Sequence, residues 1–145
     1  MSRVLLDVNV LIAMSWPAHI CHRPALQWFA TNAQRGWVTC PITEAAFVRI
    51  LSNPSFSRDA LTPHQALALL KANTAHPRHQ FWPDDLPLAD ALKHLVKNIV
   101  RHQQVTDAYL LAVVEHHRGA LATFDKGIPQ LARGIDVNIE LIGSS

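Results

Sequence analysis

Two cysteines in 145 residues, Cys21 and Cys40, stand too far apart for a CxxC pair and too few for a disulfide framework. A small disulfide-stapled secreted scaffold is excluded on that count, and a reducing compartment fits. No run approaches the ~20 apolar residues that a membrane span needs. The apolar start of the chain is cut short by Asp7, so it does not read as a signal peptide either. Charge is also sparse: 17% of residues are Asp, Glu, Lys or Arg, with a net charge of +2. Such a chain is no polybasic tail and no solvated disordered segment, since 49% of it is apolar. With no repeat, low-complexity tract or linker, the expectation is one domain over residues 1–145, in the cytoplasm. At about 150 residues a domain hides roughly 70% of its unfolded surface, so the core needs no staples.

What is present alternates. Short β-type runs fall at Arg3–Leu6, Trp37–Cys40, His79–Pro83, Ala120–Phe124 and Ile139–Ile142. Helical patterns lie between them, around Val10–Met14, Pro24–Ala33 and Thr43–Leu51. Thr62-Pro63-His64-Gln65 is a helix start with a capping threonine, proline at the first helical position and glutamine three residues after the cap. Leu88, Leu92, Leu95, Val96 and Ile99 share one helical face. Thr106 is a candidate cap for the helix AYLLAVVEHH, as Thr43 is for the helix through Leu51. Strands separated by helices predict βαβ units, a parallel sheet and an α/β fold with helices on both faces. In such sheets ligands bind beyond the carboxyl ends of the strands.

Only eleven residues are acidic; Asp59, Asp84, Asp85 and Asp136 lie in turn-like or polar surroundings and read as solvated surface charge, whereas four others sit in apolar context. Asp7 follows VLL, Glu44 opens EAAFVRIL, Asp107 opens DAYLLAVV and Asp125 follows ALATF. Singly, each has a plain explanation. Asp107 and Glu44 could favour a helix start through the macrodipole, and Asp125 could begin a turn with Lys126-Gly127. Together they would require four independent coincidences. Asp7 and Asp125 leave a parallel sheet at the same edge, and a helix opened after a strand brings Glu44 there too. Asp107 precedes a helix that leads into the last of these strands. It joins the others only if that helix begins over the crevice. Carboxylates so gathered repel and need a cation. Oxygen-only donors select Mg²⁺ or Mn²⁺ over zinc. Magnesium in a crevice of a slightly basic chain suits phosphodiester chemistry. The nine histidines show no zinc-motif spacing.

The four blocks LLDVNVLIA, CPITEAAFVRILSNP, TDAYLLAVV and LATFDKG resemble, in this order, those of the PIN-domain ribonucleases, and within them the VapC toxins of bacterial toxin–antitoxin pairs. The resemblance implies a three-layer αβα sandwich around a five-stranded parallel sheet, and Mg²⁺-dependent (or Mn²⁺-dependent) endoribonuclease activity. It further implies a VapB-like antitoxin partner and a homodimer. Carried over by motif, Asp7, Glu44, Asp107 and Asp125 match the acidic residues. Asp7, Asp107 and Asp125 then hold metal, while Glu44 binds or activates the attacking water. Asn9 and Thr123 match the polar groups that fix the carboxylates.

Other readings of the same residues are an RNA-binding module without catalysis and a phosphoacceptor of the receiver or haloacid-dehalogenase kind. The phosphoacceptors need an acidic residue beside or two after the first aspartate, where this chain has Val8 and Asn9. Carboxylates without a metal repel phosphate, which counts against a bare binding module. Lys126 and Arg49, with Arg58 and Arg133, are candidates for contact with the RNA backbone. Arg49 lies about 140° around its helix from Glu44, so it points away from the carboxylates. No base-reading module is recognisable, and the RNA itself is not named by the sequence.

Overall fold

Five short strands and the helices between them were located in a computed structural model that describes residues 2–143. In chain order they are β1 (Val4–Leu6), α1 (Val8–Ser15), α2 (His22–Asn32), β2 (Trp37–Thr39), α3 (Pro41–Leu51), α4 (Pro63–Thr74), β3 (His79–Phe81), α5 (Leu88–Ala91), α6 (Gln104–His116), β4 (Ala120–Thr123), α7 (Ile128–Leu131) and β5 (Asn138–Leu141). The sheet order is β3-β2-β1-β4-β5 and every pairing is parallel. All carboxyl ends of the strands therefore face one way.

The period-two alternation of the central strand divides the core. Val4 and Leu6 pack with α1, α3 and α4. Leu5 packs on the other face with α6 and α7. The result is the expected αβα sandwich, with β1 buried on both sides as a central parallel strand must be. The edge strand β5 is held by Glu140, whose carboxylate pairs with Arg35 at 2.6 Å and accepts from Trp28 Nε1 at 3.3 Å.

Thr62 and Gln65 form the expected capping box: Thr62 Oγ1 accepts from Gln65 N, and Gln65 Oε1 accepts from Thr62 N. Thr43 is not a cap. Helix α3 starts two residues earlier at Pro41, and Thr43 sits inside the first turn accepting from Cys40 N. Proline at the first helical position needs no donor, so the strand can turn directly into the helix. Thr106 is also inside its helix, which begins at Gln104. Gln104 Oε1 accepts from the backbone N–H groups of Val100 and Arg101 and fixes that entry.

The long helix expected from Leu88 to Ile99 is broken. After α5 come turns and a 3₁₀ turn over Val96–Asn98, with hydrogen bonds to i−3 at Leu95, Asn98 and Ile99. Leu95 is buried and Leu92 and Ile99 pack on the core, whereas Leu88 and Val96 face solvent. Asn98 Nδ2 donates to the carbonyls of Leu131 and Arg133, a tether that a continuous helix would not need. Asp84, expected at the surface as a solvated charge, is half-buried and accepts from Ile42 N at 3.1 Å. It thereby satisfies a free N–H in the first turn of α3. Burial pushes its carboxyl above the ordinary range.

Candidate active site at the carboxyl edge of the sheet

Asp7 is the first residue beyond β1 and the N-cap of α1. Its backbone N–H still donates to Ala122 O in the neighbouring strand, so it is fastened to β4 as well. The side chain is buried, 5% exposed. Oδ1 accepts from Val8 N at 2.7 Å, and Oδ2 accepts from Thr123 Oγ1 at 2.8 Å. Burial raises its pKa, the two hydrogen bonds oppose that, and the charge of Asp125 adds to it.

Thr123, the last residue of β4, is fully buried and is the hub of the network. Its hydroxyl donates to Asp7 and accepts from Asn9 Nδ2 at 3.3 Å and from Asp125 N at 3.0 Å. Asn9 Oδ1 in turn accepts from Phe124 N. Of the two polar residues expected to steady the carboxylates, Thr123 bonds Asp7 directly and Asn9 reaches it only through Thr123, across the β1–β4 seam. Asp125 closes its own turn by accepting from Gly127 N at 2.8 Å.

Asp107 lies one turn into α6. That helix leads into β4 through a short turn and packs back along it, so its first turn returns to the carboxyl edge. Burial, followed by the charges of Asp7 and Asp125, pushes the Asp107 carboxyl up to about 6. Asp107 and Asp125 also line one cleft of about 130 Å³, together with Arg101, Gln104 and Gly127.

Glu44 is at the same edge but turned elsewhere. Its Oε2 accepts from Thr39 Oγ1 at 2.6 Å. It is absent from the charges that raise Asp7 and Asp107. Three of the four expected carboxylates thus act on one another, and the fourth is held beside them by β2. Among the described residues, no three Asp, Glu, His or Cys side chains converge tightly enough to form a ready-made metal cage.

Lys126 is exposed next to Asp125, while Arg49 is exposed in the last turn of α3, away from the cleft. Arg101, Thr39 and His79 were not singled out in the sequence. Thr39 carried the one visible signal, a hydroxyl closing an otherwise apolar strand.

Comparison with known proteins bears on the family and the fold. The family model of the PIN domain matches residues 4–134. The chain is 44% identical over 128 residues to ribonuclease VapC39 of Mycobacterium tuberculosis, covering 88% of this chain and 92% of that protein. It is 43% identical over 129 residues to ribonuclease VapC38 of the same organism, covering 89% of each. Among solved structures, VapBC2 of Rickettsia felis bound to a promoter DNA fragment superposes with a TM-score of 0.66 at 12% identity, over 97% of this chain and 99% of that one. FitAcB of Neisseria gonorrhoeae gives 0.64 at 20% identity, over 94% and 96%. Those two structures speak for the fold. The chain belongs to the PIN-domain family and, within it, to the VapC proteins.

Proposed function

We propose that this protein is a Mg²⁺-dependent endoribonuclease, the toxin of a VapBC-type pair, which hydrolyses RNA phosphodiester bonds at Asp7, Glu44, Asp107 and Asp125. The observation that carries the reading is the gathering of Asp7, Asp107 and Asp125 at one carboxyl edge, where burial first and the charges of Asp7 and Asp125 second push the Asp107 carboxyl up to about 6. Leaving such a group ionised and uncompensated at neutral pH is unfavourable unless a cation completes the site.

The donors fit a hard divalent ion. They are all oxygens, and the nearest candidate soft ligand, Cys40, is buried with its thiol pushed up to about 11. Asp7, Asp107 and Asp125 would hold the ion, directly or through water, which suits the loose spacing because Mg²⁺ keeps several of its waters. Once bound, the metal lowers the pKa of a water and offsets charge on the phosphate. The chain's own residues do the rest. Thr123 and Asn9 fix the Asp7 rotamer. Glu44 orients the attacking water and accepts its proton. Lys126 and Arg101, beside the cleft, receive the flanking phosphates.

An RNA substrate and a ribonuclease activity are also what the names of the VapC relatives support. A VapB-like antitoxin is the proposed partner, since the related solved structures are VapBC complexes. A homodimer is the proposed state. Size-exclusion of the free protein and of the co-expressed pair checks both.

The deciding experiment is cleavage of total bacterial RNA by the purified protein with Mg²⁺, with EDTA, and as Asp107→Asn. Defined fragments in the first lane alone support the reading. Undiminished cleavage in either other lane overturns the metal site. No cleavage in any lane, with folded and antitoxin-free protein, favours a PIN-like RNA-binding module without catalysis.

A further inference from the structure

Glu44 does not stand alone at the carboxyl edge. Thr39, at the end of β2, is fully buried, and its one hydroxyl lies 2.6 Å from Glu44 Oε2 and 2.7 Å from His79 Nε2. His79 opens the edge strand β3, directly across from Trp37 in the register. Its ring meets the Trp37 indole with 4.7 Å between centroids and a tilt of 58°. The imidazole is therefore held between the Trp37 ring and the Thr39 hydroxyl.

We propose that Thr39 and His79 are positioning residues for Glu44, a relay in which His79 Nε2–H donates to Thr39 and Thr39 donates to the Glu44 carboxylate. This deepens the ribonuclease reading above and rests on it. Proton counting sets the direction. A hydroxyl has one hydrogen and two acceptor sites. A Glu44 carboxylate has no proton to give, so at 2.6 Å the Thr39 hydrogen lies on that contact. The 2.7 Å contact to His79 then needs a hydrogen from the ring, which assigns the proton to Nε2. The relay leaves the other carboxylate oxygen of Glu44 unassigned within the network and directs the residue's rotamer from outside the aspartate cluster. A buried threonine merely satisfying its own hydroxyl would need one partner, and here it has two.

The relay also gives the site a division of labour. The three aspartates share one edge and call for a cation, whereas the fourth carboxylate accepts from the neutral hydroxyl of Thr39. Glu44 is thereby kept aside as the group that meets water.

The test uses the full-length protein in five forms: parent, Thr39→Val, Thr39→Ser, His79→Phe and His79→Gln. Valine keeps the volume of Thr39 and removes its hydroxyl. Phenylalanine keeps the ring on Trp37 and removes the donor. Serine and glutamine restore a hydroxyl and an N–H. Steady-state cleavage of RNA with Mg²⁺ is expected to show kcat lowered about 10- to 100-fold in Thr39→Val and His79→Phe, the range typical of groups that orient site residues. KM should be little changed, and most of the loss should be recovered in Thr39→Ser and His79→Gln. Long-range ¹H–¹⁵N spectra of the histidine rings supply a readout independent of activity. His79, identified by its loss in His79→Gln, should carry its proton on Nε2, and that signal should move in Thr39→Val and in Glu44→Gln. A bare Nε2 in the parent, or a signal indifferent to Glu44→Gln, overturns the relay whether or not RNA is cut. So does a kcat within about twofold of the parent, a difference of under ~0.5 kcal/mol, in folded Thr39→Val and His79→Phe. Cleavage that survives Asp107→Asn instead overturns the metal site, which is a separate failure.

Discussion

Asp107→Asn should make the protein more stable while destroying its activity. In the folded chain the Asp107 carboxyl is pushed from 3.8 to about 6, by burial first and then by Asp7 and Asp125. Two pKa units correspond to about 3 kcal/mol for a fully desolvated group. Asp107 keeps part of its surface in water, so screening reduces this to roughly 1–1.5 kcal/mol. Against it stands the favourable interaction of a first-turn aspartate with the helix dipole, about 0.3–0.5 kcal/mol at an exposed site. The net gain is on the order of 1 kcal/mol, which for a chain of this size raises Tm by about 2–4 °C.

The pH dependence follows in sign. Between 3.8 and about 6 the folded state binds more protons at Asp107 than the unfolded state does. Stability contributed by this group is present below 3.8 and is lost as pH rises through about 6. The advantage of Asp107→Asn should therefore be full at pH 7.5, about half as large at pH 5, and gone toward pH 3.8. Thermal unfolding followed by circular dichroism, in EDTA, measures it. A variant less stable than the parent at pH 7.5, or a difference that does not change with pH, would refute the reasoning.

Saturating Mg²⁺ should raise the Tm of the parent, by about 2.7 kcal/mol of stabilisation at a hundred times Kd, and calorimetry should show the rise abolished by EDTA and weakened in Asp107→Asn. Thr123→Val removes the donor to Asp7 and the acceptor for Asn9 and Asp125 N. It should lose about 1–3 kcal/mol in urea unfolding and about 10- to 100-fold in RNA cleavage. Gly119→Ala places a Cβ 2.5 Å from the Trp82 ring and 2.9 Å from the Arg3 carbonyl. Overpacking there should cost about 1–3 kcal/mol and leave cleavage by the folded fraction unchanged, which denaturant melts and active-site titration can separate.

The parallel sheet was legible because its strands are short β-type runs at βαβ spacing, and Asp7 and Asp125 were legible as a pair because carboxylates that follow two strands of a parallel sheet leave it at one edge. Asp107 was legible as a residue but not as a neighbour. Its place depends on α6 packing back along β4, a tertiary fact with no local signature. The apolar face from Leu88 to Ile99 had helical period, yet the tether from Asn98 to α7 and its following turn reshaped the backbone while leaving Leu92, Leu95 and Ile99 on the core. Asp84 looked solvated because its partner, Ile42 N, lies 42 residues away. Thr39 and His79 escaped for the same reason: the contact between them spans β2 and β3, and the hydroxyl that closes β2 is visible in the sequence without its partners.

The hydroxyl of Thr123 runs its bonds in one direction, with two donors arriving and one proton leaving toward Asp7. Asn at position 7 could still cap α1 through its oxygen, but its amide group would then face Thr123 as a third donor, and the threonine proton would have nowhere to go. Exchanging Asp7 for asparagine to silence the enzyme would therefore also jam the seam between β1 and β4. A trapped toxin for structural or binding work is better made at Asp107, where the same exchange loosens nothing that the fold relies on.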